Sequence, residues 1–114
     1  MSTQEIPKDK WRAFFDGFSR EHEGWLATLE VFGADVGAQE EAHELSFEGI
    51  SLNADQGDQE SLVISVGKSG EDHVSHMIDD PQHVWLQQST GGTDSALEIE
   101  GRDDSKTLVR LRSV

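Results

Sequence analysis

The chain contains no cysteine and no tyrosine, and only 2 of its 114 residues are proline. Without cysteine, a disulfide framework, a thiolate zinc site and a cysteine nucleophile are all excluded. No apolar run approaches the roughly 18 consecutive residues that a membrane-spanning helix needs. Residues 1–10 are polar and no apolar segment follows them, so no secretory signal is predicted. We therefore expect a cytoplasmic protein.

Positive charge is scarce as well. The chain has 9 lysine and arginine residues against 23 acidic residues, which gives a formal net charge of −14. Nucleic-acid phosphates and anionic lipids repel such a chain, so neither a nucleic acid nor a membrane is predicted as a partner. The acids are spread along the chain, as is typical of a solvated surface. A surface shaped to meet a basic partner or to mimic nucleic acid is the alternative interpretation.

The length indicates how the chain is organised. A chain of 114 residues has the usual size of one domain and can bury a core without metals or disulfides. No internal repeat, linker or low-complexity segment interrupts it. We expect a single domain over residues 1–114.

Four aromatic residues predict an N-terminal helix. Their spacing of i, i+3, i+4 and i+7 places them on one stripe of a helix; they are Trp11, Phe14, Phe15 and Phe18. Pro7 suits a first helical turn, and Gly24 is a plausible stop because glycine accepts the left-handed conformation. Four exposed rings would promote aggregation, so we expect the stripe to pack on the protein's own sheet.

After Gly24 the hydrophobic period changes from 3.6 to 2, which indicates strands. The alternation predicts six or seven of them, over residues 25–32, 38–47 continuing into 47–52, 61–67, 72–78, 82–88, 96–100 and 107–112. Gly49 inside such a run is typical of a bulge. Short connections favour an antiparallel meander, and the fold class is α+β, mostly β. A small SH3-like barrel is preferred because closure removes exposed edges, and an open, strongly curved sheet under the helix is the alternative.

Segments along nearly the whole chain resemble a family of short, uncharacterised bacterial proteins, domain of unknown function 5335. The segments are 6–7, 11, 14–16, 18–19, 22–26, 45–51, 72–73, 76, 81, 84 and 96–100. The resemblance implies a bacterial, free-standing domain. The family has no assigned activity, so no site residue is carried over from it.

One group of side chains could bind a metal. Imidazoles and carboxylates are ligands for zinc, nickel or copper, and His73, Asp80 and His83 are the candidates. His73 and His76 cannot coordinate the same ion, because residues three apart on a strand point to opposite faces. The competing interpretation is a hairpin with polar side chains at its rim and His76 half-buried.

Catalytic chemistry has little support. The chain has neither a Gly-x-Ser-x-Gly elbow nor a glycine-rich phosphate loop, and its many acids guarantee chance carboxylate pairs. No catalytic residue and no cofactor are predicted, which favours a non-enzymatic protein without deciding the question. His22, at the junction of helix and sheet, is expected to anchor the helix through hydrogen bonds. A binding pocket lined by Phe18 and Trp25 is the alternative there.

Trp85 alternates out of phase with Val84 and Leu86, so we expect it on the outer face of the sheet, where tryptophan often marks an interface. The leading hypothesis is an interaction or accessory domain that binds a protein partner or a second copy of itself, through Trp85 or a sheet edge. The alternatives are a metal-binding protein and a small-ligand-binding barrel.

Overall fold

Eight strands and one helix make up the described part of the protein. The computed structural model describes residues 2–33, 37–53, 60–67, 73–88, 94–102 and 105–113. The elements are β1 (Ser2–Glu5), α1 (Trp11–His22), β2 (Leu26–Gly33), β3 (Gly37–Asn53), β4 (Ser61–Val66), β5 (Val74–Asp79), β6 (His83–Gln88), β7 (Asp94–Glu100) and β8 (Lys106–Arg112). A short 3-10 turn, Lys8–Lys10, leads into α1. Within those ranges, no helix has the length and apolar character needed to cross a membrane.

The strands form one antiparallel sheet in the order β1-β6-β7-β8-β2-β3-β4-β5. The α+β class, with an N-terminal helix and an antiparallel sheet, is therefore confirmed. The strand count and the simple meander need correction. β1 was not predicted because its residues are polar. A simple meander pairs only strands that are consecutive in the chain, whereas β8 also pairs with β2.

The sheet is open, so the preferred barrel is wrong and the curved-sheet alternative is right. β1 and β5 lie at opposite ends of the strand order and do not pair with each other in the residues that the structure describes. Four strand spacings of a flat sheet would separate β8 from β5 by about 19 Å. Thr107 Oγ1 on β8 nevertheless lies 3.5 Å from His76 Nε2 on β5. The sheet must therefore curve strongly over its inner face.

The long strand β3 makes this curvature possible. Its first part pairs with β2 and its second part, from Phe47 onward, pairs with β4. The register shifts twice opposite residues 27–30 and once between Phe47 and Gly49, as the glycine predicted. Bulges bend a strand and increase its twist. β3 thereby belongs both to the part of the sheet that contains β2 and to the part that contains β4.

The helix packs its aromatic stripe into the core, as predicted. Trp11, Phe15 and Phe18 are at most 4% exposed, whereas Phe14 is half-buried. Fully burying one such side chain contributes about 2–3 kcal/mol relative to leaving it in water. Gly24 ends the segment with a φ of +87°, and its N–H donates to Phe47 O at 2.9 Å, which fixes the turn from helix to sheet.

His22 is the polar residue that ties the helix to β7. Its Nδ1 lies 2.8 Å from Phe18 O, and because a carbonyl only accepts, this nitrogen carries the proton. In the neutral ring Nε2 then accepts a hydrogen bond from the Ser95 hydroxyl at 3.2 Å. The imidazole also stacks on Phe18 and meets Trp25 edge-on. These contacts support the expected anchoring role.

Candidate functional site

The three candidate metal ligands each contact a different neighbour. His73 Nε2 lies 3.0 Å from Ser75 Oγ, and Asp80 Oδ2 accepts from Arg102 Nε at 2.7 Å. His83 Nδ1 lies 2.9 Å from Glu5 Oε2. Across the described ranges, no group of three or more histidine, aspartate and glutamate side chains could hold a metal ion. The structure thus does not bring the candidate ligands together.

The reason is the strand order. β6 pairs with β1 and β7 and not with β5, so closeness in sequence does not place His83 beside His73. Asp80 lies in the connection between those strands with a φ of +49°, a left-handed conformation that aspartate tolerates better than most residues. The expected placement of the two histidines is confirmed, because His76 on β5 faces inward and is half-buried, while His73, directly before β5, is exposed.

Trp85 lies on the outer face of the sheet, as its position out of phase with Val84 predicted. It pairs in register with Glu5 on β1 and with Glu98 on β7. The indole is half-buried and stacks on the His83 ring, with centroids 5.3 Å apart and planes inclined by 20°. We call the set Glu5, His83, Trp85 and Glu98 the Trp85 face.

The Trp85 face combines an aromatic ring with carboxylates on both flanking strands. Directly opposed residues of antiparallel strands have their Cβ atoms about 4.5–5.5 Å apart, so both glutamates stand beside the indole. Aromatic faces attract cations, and neighbouring carboxylates add to that attraction. The arrangement is therefore suited to a lysine or arginine side chain of another molecule.

A groove of about 450 Å³ lies beside the Trp85 face, where the ends of β6, β7, β8 and β2 meet. Thr28, Ala96, Arg110 and Arg112 contribute to its lining, and we call it the arginine groove. Arg110 pairs in register with Ala96 on one side and with Thr28 on the other. Because both neighbours are small, they leave space on either side of the long Arg110 side chain.

Two carboxylates hold the arginines in place. Arg112 Nη2 donates to Glu44 Oε1 at 2.5 Å, and Arg110 Nη1 lies 3.3 Å from Glu30 Oε1. That oxygen of Glu30 is shielded from solvent and accepts no well-aligned hydrogen bond, so its contact with Arg110 is electrostatic. Arg110 therefore offsets the charge of a partly desolvated carboxylate.

A second cavity of about 330 Å³ lies where β5 approaches β8 and β2, and we call it the seam pocket. Val31 and Ile78 provide apolar lining, and His76 and Thr107 provide hydrogen-bonding groups. Burial lowers the pKa of His76 from its ordinary value of 6.5, and the Glu41 charge opposes this by favouring the protonated ring. At neutral pH the pocket thus contains an uncharged imidazole.

The shifted pKa of His76 predicts a pH-dependent stability. Below pH 6.5 the unfolded chain binds a proton at this residue that the folded chain binds only at lower pH. The free energy of unfolding is therefore expected to fall as the pH decreases from about 7.5 to about 5.5, and His76→Gln should reduce that fall. Urea denaturation at several pH values measures it, with the exposed His73→Gln as the control. Equal pH dependence in the wild type and both variants would contradict the assignment.

Comparison with known proteins places the chain in a family. The model described as "Family of unknown function (DUF5335)" matches residues 2–114. The chain belongs to this family. An uncharacterized protein of Aquifex aeolicus (strain VF5) is similar to it, with 24% identity over 112 residues that cover 98% of this chain and 94% of that protein. No solved structure matches the chain. The resemblance recognised in the sequence is confirmed, and membership of DUF5335 assigns no activity.

The arginine groove was missed by sequence reasoning in this DUF5335 protein, although one signal was present. Arg110 and Arg112 are two apart in a predicted strand whose intervening residue, Leu111, is apolar, so alternation already places both on the outer face. Their partners Glu30 and Glu44 lie about 70 to 80 residues away along the chain, and only the strand order brings them together.

Proposed function

We propose that this DUF5335 protein is a non-enzymatic accessory domain that binds a basic segment of a partner protein on the Trp85 face. The observation that carries the proposal is the register of Trp85 between Glu5 and Glu98. An aromatic ring between two carboxylates offers a lysine or arginine side chain a cation–π contact and an ion pair together. A cytoplasmic location is part of the proposal.

The overall charge supports the same kind of partner. A formal net charge of −14 attracts basic molecules over a range of about 8–10 Å at physiological salt. An exposed cation–π contact contributes only about 0.5–1 kcal/mol, and an exposed ion pair about as much. The partner segment therefore needs several basic residues, with Trp85 supplying its main contact.

Replacing Trp85 tests the proposal. We expect a synthetic oligolysine peptide to bind Trp85→Ala about two- to fivefold more weakly than the wild type, because the ring contact of about 0.5–1 kcal/mol is lost while the net charge is unchanged. Isothermal titration calorimetry at physiological salt measures the affinity. Met77→Ala is the matched control, because Met77 is a large hydrophobic residue that is 59% exposed on β5, remote from the Trp85 face in the strand order.

Two outcomes would overturn the proposal. The first is equal binding of the peptide by the wild type and a folded Trp85→Ala, with folding checked by circular dichroism; Trp85→Leu provides a second variant that keeps an apolar side chain. The second is a wild-type protein that dimerises in sedimentation velocity experiments and a Trp85→Ala protein that stays monomeric. In that case the occupant of the Trp85 face is another copy of the chain.

Binding of a small ligand is the second candidate function. The volumes of the arginine groove and the seam pocket, about 450 and 330 Å³, fall within the range of about 300–1,000 Å³ that ligand pockets usually occupy. Each cavity combines apolar lining with a few polar groups, as such sites do. Small-ligand binding would use surfaces other than the Trp85 face, so it is compatible with binding of a basic segment there.

A further inference from the structure

We propose that the arginine groove binds the oxyanion of a small ligand, a carboxylate or a phosphate group, between the guanidinium groups of Arg110 and Arg112. This site goes beyond the proposed binding of a basic segment and uses different side chains. It gives the small-ligand candidate a definite chemical class.

The spacing of the arginines suits one anionic group. They are two residues apart on β8 and leave the same face of the sheet, so their Cα atoms are about 6.5–7 Å apart. Side chains of that length can converge on an oxyanion from two directions. The small residues Ala96 and Thr28 on the neighbouring strands leave room for it, and the groove has space for the remainder of a small molecule.

The existing ion pairs orient the arginines without using all their donors. The contact with Glu30 involves Nη1 of Arg110, and the contact with Glu44 involves Nη2 of Arg112. A guanidinium group has five N–H donors in a planar fork, so both side chains retain donors for a ligand. Carboxylates that fix a binding side chain in this way reduce the entropy lost when the ligand binds.

Positive charge is scarce in this chain, so the presence of two arginines in one groove is informative. Only 9 residues of the chain are lysine or arginine, and two of them line this one groove. The net charge of −14 opposes an approaching anion, but salt screens charges more than about 8–10 Å away. Recognition at short range therefore depends on the donors within the groove, whose lining also includes the Glu44 carboxylate that pairs with Arg112.

Titration with two simple anions tests the site. We expect inorganic phosphate, acetate or both to bind the wild type saturably in isothermal titration calorimetry, and Arg110→Gln and Arg112→Gln each to bind at least tenfold more weakly. Lys106→Gln is the matched control: Lys106 is on the same strand and the same face, four residues from Arg110, and its loss removes the same single charge. This control should bind as the wild type does.

Further variants separate the possible explanations. Arg110→Lys keeps the charge but loses the fork, so a folded protein with weakened binding supports recognition by the guanidinium. Trp85→Ala should bind the anion normally, which distinguishes this site from the Trp85 face. Binding of phosphate alone would assign a phosphate-bearing ligand, and binding of acetate alone a carboxylate. No saturable binding of either anion, or an equal loss in Lys106→Gln, would overturn the proposal.

Discussion

Replacing Phe15 by alanine is expected to lower the free energy of unfolding by about 3–5 kcal/mol, the usual cost of removing a buried phenylalanine. The ring is 1% exposed and lies in the centre of the aromatic stripe. It meets Trp11 and Phe14 edge-on, with centroid distances of 6.5 and 5.3 Å. Its removal would leave a cavity where the helix contacts the inner face of the curved sheet.

Urea denaturation followed by far-UV circular dichroism measures this loss. Phe14→Ala is the matched control, because Phe14 is the adjacent residue with the same side chain and is only half-buried. The free energy of unfolding should fall clearly less in Phe14→Ala than in Phe15→Ala. Equal losses in the two variants would show that the helix presents a different side to the sheet.

The second large effect is expected at His22. His22→Ala should destabilise the protein by about 3 kcal/mol, because it removes a buried ring and leaves the Ser95 hydroxyl without its hydrogen-bond partner. The Ser95 hydroxyl lies 3.2 Å from His22 Nε2, and Ser95 is only 5% exposed. The same change removes the stacking of the imidazole on Phe18.

A double-mutant cycle separates the hydrogen bond to Ser95 from the rest of this loss. Ser95→Ala alone should cost about 1 kcal/mol, since one hydrogen bond is removed and its partner stays buried. The double variant should be more stable than the sum of the single losses predicts, because the two residues contact each other. Strictly additive losses, measured by denaturant titration, would mean that His22 and Ser95 do not interact.

Local features of this fold could be predicted from the sequence because they depend on neighbouring residues. The aromatic spacing located α1, and Gly24 and Gly49 located the end of the helical segment and a bulge. The strand order could not be predicted in the same way. β1 is polar and pairs with β6, about 80 residues along the chain, so no local pattern reveals it. The preference for a barrel failed because two edge strands remain.

The same contrast between local pattern and strand order holds for the candidate sites. Alternation was sufficient to place Trp85 on the outer face and to separate His73 from His76. Register was needed to place Glu5 beside Trp85, because β1 was not anticipated. His73, Asp80 and His83 were grouped by sequence proximity, which the strand order does not preserve. The face on which a side chain of one strand lies was therefore predictable, and the grouping of side chains from distant strands was not.

Binding of a basic segment on the Trp85 face is tested most directly by NMR titration of the folded protein with oligolysine. The chain has three tryptophans, and Trp11 donates its indole N–H to Ile6 O within the core. We expect the indole signal of Trp85 and the backbone amide signals of Glu5 and Glu98 to shift. The backbone amide signal of Met77 should stay in place. Shifts centred on β5, or none at saturating peptide, would contradict the account.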